Sequence, residues 1–188
     1  MDQESIQGAV RRQQVEESLK QECEQALVER VNRYIEISHA RIIPNHYFAP
    51  PSAECLLSFR DGHFYGCIAT VQAVTEALVR FLCEKNFWKP AKEFEKNIKD
   101  LNKRGFISER LKDLFLRIWQ SRDDYHHLNS TILAQRQELE KLAKEKIGFL
   151  AEIEKDIFAF TITDQGAVVP KNPKYWDGAD GQVFLRLE

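Results

Sequence analysis

Between residue 2 and about residue 39 the chain is polar, but Val15, Leu19, Cys23, Leu27, Val31 and Ile35 recur at every fourth position. This spacing predicts one long helix carrying a thin apolar stripe along one face. A stripe so narrow suits a helix laid on a bundle or against a partner chain. The first fourteen residues carry few apolar groups and are expected to fray. Pro44 and the Pro50-Pro51 pair end the helix and make residues 40–51 a loop. Ser52 is placed to cap a short helix that runs to Arg60, where Asp61-Gly62 closes it. The most apolar segment follows, from Phe64 to Lys85. Phe64, Cys67, Ile68, Val71, Val74, Leu78, Phe81 and Leu82 cover more than one face, which predicts the central buried helix. Gly66, Ala69, Ala73 and Ala77 line up at three- and four-residue spacing and predict a close helix crossing.

Beyond Pro90 the pattern predicts a modest helix over 91–103, stopped by Gly105, and another over 109–120 capped by Ser108. From Arg122 onward Leu128, Ile132, Leu139, Leu142, Leu150, Ile153 and Ile157 keep a helical spacing, and Gly148 interrupts that helix without ending it. The period then drops to two. Phe158, Phe160 and Ile162 alternate with Ala159, Thr161 and Thr163, and Asp164-Gln165-Gly166 leads into Ala167-Val168-Val169-Pro170, which predicts a hairpin. Val183, Leu185 and Leu187 alternate again and predict a third strand. The expected fold is mainly α: a helical bundle with a long N-terminal helix and a small C-terminal β appendage. Its parts are residues 1–51 (helix and loop), 52–157 (helical core) and 158–188 (appendage), within one compact domain.

Composition narrows the class. At 188 residues, 43% hydrophobic and 30% charged, the chain can bury a core without disulfide or metal staples. No run approaches the roughly 18 apolar residues of a membrane span, so no membrane association is expected. The N-terminus lacks an apolar signal region, and the cytoplasm is the expected compartment. Cys23, Cys55, Cys67 and Cys83 include no C-x-x-C pair, and buried inert thiols are expected. A net charge of -2 and a pI near 6.2 argue against a protein that coats nucleic acid by charge alone. They leave room for a local basic cleft. Lys89, Lys92, Lys96 and Lys99 can flank an RNA groove, although the acids between them also suit a solvated face. Phe87 and Trp88 are expected to plug a bundle end. Tyr175-Trp176 suits either a partner contact or packing on the appendage.

The decapeptide SRDDYHHLNS, residues 121–130, concentrates the chemistry. An arginine can clamp a phosphate, and a histidine can move a proton near neutral pH, which is what phosphodiester cleavage requires. Arg122 and His127 stand in the spacing R-x4-H, with polar Asp123 after the arginine. Arg33–His39 and Arg41–His46 have similar spacings, but apolar Tyr34 and Ile42 follow those arginines. A metal alternative would draw on Asp123, Asp124, His126 and His127. Adjacent helical residues point about 100° apart, so one ion collects at most two of them.

In Arg122, Asp123 and His127, and in an earlier apolar helix carrying an acid, Glu76, the chain resembles the HEPN family over residues 52–146. These are small α-helical proteins with an R-x4-6-H motif at the start of the last core helix. Many are metal-independent RNases of bacterial defence and toxin–antitoxin systems. The resemblance implies an RNA substrate, cleavage by 2′-OH attack to leave a 2′,3′-cyclic phosphate, and no metal or other cofactor. His127 would transfer the proton, Arg122 would stabilise the phosphorane, and Asp123 would orient one of them. His126, outside the family spacing, would support RNA contact. A homodimer would place two motifs in one cleft, and an antitoxin or defence-complex protein is an implied partner. A non-catalytic RNA- or protein-binding module is the alternative. Glu76 is expected to be mostly buried and held by Arg122 or Arg80.

Overall fold

A computed structural model describes residues 3–127, 129, 135–176 and 183–186. In chain order its elements are α1 (Gln3–Glu36), β1 (Ile42–Pro44), α2 (Ala49–Arg60), α3 (Phe64–Lys85), α4 (Phe94–Lys103), α5 (Glu109–Trp119), α6 (Arg122–His126), α7 (Arg136–Ile157), β2 (Phe160–Ile162), β3 (Val168–Pro170), α8 (Pro173–Trp176) and β4 (Val183–Leu185). The protein is mainly helical, with two small two-stranded sheets among the described residues.

The apolar stripe of α1 does not pack. Val15, Leu19, Leu27, Val31 and Ile35 are all about half exposed or more, and Cys23 is exposed. The reason is geometric. A four-residue repeat advances about 40° per step on a 3.6-residue helix, so the six groups wind around the axis instead of sharing one face. Only the last turns of α1 seat on the bundle. There Arg33 is buried, its Nε donates to Glu140 of α7 at 2.6 Å, and its guanidinium lies over the Phe64 ring.

Helix α3 is the centre of the core, as its apolar pattern requires. Ile68, Val71, Leu78 and Leu82 are fully enclosed, joined by Phe59 of α2, Ile98 of α4, Phe115 and Ile118 of α5, and Ile147 and Ile153 of α7. By length and hydropathy α3 is long enough to cross a bilayer, and 61% of that window is buried within the bundle. Gly66 and Ala73 are exposed, so the small-residue line does not form the expected helix crossing. The larger groups on the opposite side take the core because they bury more apolar area.

Several boundaries differ from the sequence pattern. Helix α2 begins at Ala49 with the two prolines in its first turn, where a missing N–H costs nothing. Ser52 is therefore not its cap. Ser108 does cap α5, its Oγ accepting from Leu111 N at 3.2 Å. Gly62 and Gly105 close α2 and α4 at φ +79° and +74°. In each case the residue after the glycine donates back across the last turn, His63 N to Ser58 O and Phe106 N to Leu101 O, the Schellman arrangement that favours glycine.

The long last helix starts at Arg136, not at Arg122, and passes through Gly148 unbroken. Leu139, Leu150, Ile153 and Ile157 line its buried side. Leu128 and Ile132 lie outside the described residues. Strands β2 and β3 pair as the expected hairpin. The third strand, β4, instead joins β1, pairing Ile42 with Leu185 and Pro44 with Val183. Part of the expected 40–51 loop is thus a strand. Leu187 lies outside the described residues. Tyr175 and Trp176 are buried: Trp176 packs on the appendage, meeting Phe158 and Phe160 edge-on, and Tyr175 packs on Phe81 of α3.

The β1–β4 pair is bolted to the bundle by charge. Arg186 reaches inward, its Nη2 donating to Glu154 Oε2 of α7 at 2.7 Å and to Ser52 Oγ of α2. Its Nη1 donates to Ala40 O at 3.0 Å. Ser52 Oγ in turn donates to Glu154 Oε1. All three side chains are buried.

Candidate functional site

The motif stands on a turn that three elements hold in place. Helix α5 stops at Trp119, Gln120 turns extended (ψ 135°), and Ser121 is left-handed (φ 58°). No glycine or proline makes this break. Lys146 of α7, buried beneath the turn, donates through Nζ to Ile118 O at 2.6 Å, to Gln120 O at 2.9 Å and to Arg117 O at 3.5 Å. Gln72 of α3 adds a bond from Nε2 to Ile118 O at 3.2 Å. The carbonyls that a helix C-terminus leaves without partners are thus satisfied by side chains from two other helices. Burial pushes the Lys146 ammonium down to about 8, while Glu145 pulls the other way.

Arg122 opens α6 directly after this turn. Its guanidinium lies over the Trp119 ring at 4.8 Å, and Trp119 in turn stacks on Phe94 at 3.9 Å between centroids. Among the described residues the Arg122 Nε is buried without a hydrogen-bond partner, and Nη1 makes a long 3.4 Å contact with Asp123 Oδ1. Arg122 also separates two cavities. One, about 700 Å³, is lined by Glu95, Arg117, Trp119, Gln120 and Asp123 beside it. The other, about 200 Å³, is lined by Glu76, Arg80, Lys92 and Trp119. Arg117 is already engaged, paired with Glu145 at 2.6 Å and lying over Phe149. Arg122 keeps spare bonding capacity at its Nε among the described residues.

The remaining expected residues fall as follows. Asp123 is 85% exposed at its side chain. His127 ends α6, its backbone N donating to Asp123 O at 3.1 Å. His126 is held below its usual value by burial, then by the Arg122 and His127 charges, with Glu76 and Asp123 opposing. The structure therefore brings Arg122, Glu76, Asp123 and both histidines into one electrostatic neighbourhood. Glu76 is partly buried, and of its two expected partners it has Arg80. Its side chain is 38% exposed and pairs with Arg80 at 2.9 Å, because it faces the cavity edge and not the core side of α3. Lys92 lines the smaller cavity, Lys99 is drawn to Glu95 at 3.5 Å, and Lys89 and Lys96 are exposed. Among the described residues, no three His, Cys, Asp or Glu side chains group to hold a metal ion.

The motif does not open the last long helix, as the family pattern would have it. It occupies the short, separate α6, between α5 and α7. Lys146 and Gln72, which anchor the turn, escaped the sequence reading. The available signal was a lysine on the α7 core stripe, between Ala143 and Leu150, and Glu154 carries the same signal two turns on. No family model matches the chain, and neither a curated protein nor a solved structure matches it.

Proposed function

We propose that the chain is a metal-independent endoribonuclease of the HEPN type, working as a homodimer. The observation that carries the reading is Arg122, braced on Trp119 between two cavities, with a buried Nε and no bond made there. Such a guanidinium is suited to the oxygens of a phosphodiester. In the reaction the RNA 2′-oxygen attacks the adjacent phosphorus, and the bond from phosphorus to the 5′-oxygen breaks. A histidine takes the 2′-OH proton, and another returns a proton to the departing 5′-oxygen. The products are a 2′,3′-cyclic phosphate and a 5′-OH end. Arg122 would offset the charge gathering on the phosphorane oxygens, where an aimed donor acts best.

Two copies with motifs in one cleft supply both proton carriers. His127 is the one the family spacing selects. His126, held below its usual value by burial and by Arg122, would contact the RNA beside it. Gly66 and Ala73 on the outer face of α3, beside Glu76, leave a surface on which two copies can approach closely. An antitoxin or defence-complex protein could cover the same cleft.

The experiment is incubation with RNA in EDTA. EDTA-resistant cleavage leaving cyclic phosphate ends, abolished in His127→Ala, is the expected result. The displacement of the motif onto α6 favours one second reading, a non-catalytic RNA- or protein-binding module. RNA binding without cleavage, in an intact dimer, would select it.

A further inference from the structure

Among the described residues, two that are not glycine adopt a left-handed backbone, Ser121 and Phe87. Ser121 belongs to the turn that aims Arg122. Phe87 has no such role, and it stands where α3 ends. Phe87 N donates to Glu84 O and Trp88 N to Cys83 O, each at 2.9 Å. This is the same Schellman closure that ends α2 and α4, and there the chain places Gly62 and Gly105 at the left-handed position. At α3 it places a phenylalanine, at φ 57°, with its side chain wholly in solvent (relative exposure 101%). The position is one that glycine fills without strain, and a bare aromatic ring in water adds no packing. Nothing among the described residues accounts for Phe87.

Its surroundings name an occupant. The neighbouring rings are already covered by cations: Arg104 lies 4.9 Å from the Trp88 ring, and Lys174 lies 5.5 Å from Phe106 while donating to Asn86 Oδ1 at 2.8 Å. Lys85 and Lys89 flank Phe87 in the chain. Over residues 84–104 there are seven cations against four carboxylates, in a chain whose net charge is -2. The loop that leaves Phe87 passes Lys89 and Ala91 to Lys92, and Ala91 and Lys92 line the cavity that Arg122 also lines. A cation-flanked aromatic connected to an arginine cleft is the arrangement that receives single-stranded nucleic acid, with a base on the ring and phosphates on the cations. A bilayer-inserting tip would need more than one bare ring.

We infer that Phe87 is a stacking platform for a base of single-stranded RNA whose backbone runs along Lys89 and Lys92 toward Arg122. The inference takes its ligand class from the ribonuclease reading but does not depend on cleavage.

The test uses a 2′-O-methyl RNA oligonucleotide carrying 2-aminopurine, which binds but cannot be cut by 2′-OH attack. Wild-type protein should bind it and alter the 2-aminopurine fluorescence. Phe87→Ala and Phe87→Gly should each weaken binding about tenfold, the scale of one lost base stack, and remove the fluorescence change. Phe87→Trp should restore both. Phe87→Gly should also melt higher than wild type, which shows that the loss of binding is not a loss of fold. Equal affinity of wild type and Phe87→Ala would overturn the inference. So would Phe87-dependent binding to anionic vesicles or to a protein with none to RNA. Binding through Phe87 without cleavage of ordinary RNA would sink the ribonuclease and leave this inference standing. Cleavage with Phe87-independent binding would do the reverse.

Discussion

Lys146 is the residue on which the site's geometry turns. Three carbonyls surround its Nζ, and burial lowers it from 10.5 to about 8. The folded value lies below the unfolded one, so between about pH 8 and 10.5 the unfolded chain binds the extra proton and stability rises with pH. Relative to Lys146→Met, wild type should gain on the order of 3 kcal/mol across that window, read by denaturant unfolding at its two ends. A constant difference would show that the ammonium ionises as in water. Glu76 makes the opposite case. Its pair with Arg80 is half exposed on one helix, and such pairs are worth little. Glu76→Ala should cost less than about 1 kcal/mol in thermal unfolding. A loss several times larger would mean that Glu76 holds more than Arg80.

At the scale of elements, the sequence resolves what periodicity governs and misses what single side chains decide. The apolar run of α3 marks its limits from Phe64 to Lys85, and the period change marks the β2–β3 hairpin. The break at Ser121 has no glycine or proline to announce it, because Lys146 and Gln72 from distant positions satisfy the severed turn. The partner of β4 was equally hidden. Arg186, reaching Glu154 from the end of β4, fixes that strand beside β1. Within the site, Arg122 and its two histidines were legible as a motif. The Trp119 brace and the exposure of Glu76 depend on packing that no local pattern encodes. The Arg186 bolt gives its own expected outcome. Glu154→Ala should cost about 3–5 kcal/mol by leaving a buried guanidinium unpaired. Glu154→Leu combined with Arg186→Met should recover most of that loss in the same unfolding assay. A small effect of the single change would show that the strand pair is loosely held.

For the whole molecule, one bundle serves as the frame for a cleft at the α5–α6 turn, with a basic, aromatic-tipped loop leading into it and α1 standing largely free. Because burial and Arg122 lower His126, its titration midpoint followed by NMR should lie below the ordinary 6.5 and should rise in Arg122→Ala. A midpoint at or above that value, unmoved by Arg122→Ala, would contradict this placement of the two side chains. The claim on which the functional account rests is that His127 and Arg122 cut RNA without a metal. It is tested most directly by incubating wild-type, His127→Ala and Arg122→Ala proteins with single-stranded RNA in EDTA and analysing the ends. The account predicts cyclic phosphate products from wild type alone, with all three proteins folded alike. Full cleavage by His127→Ala, or cleavage by wild type that EDTA abolishes, would contradict it.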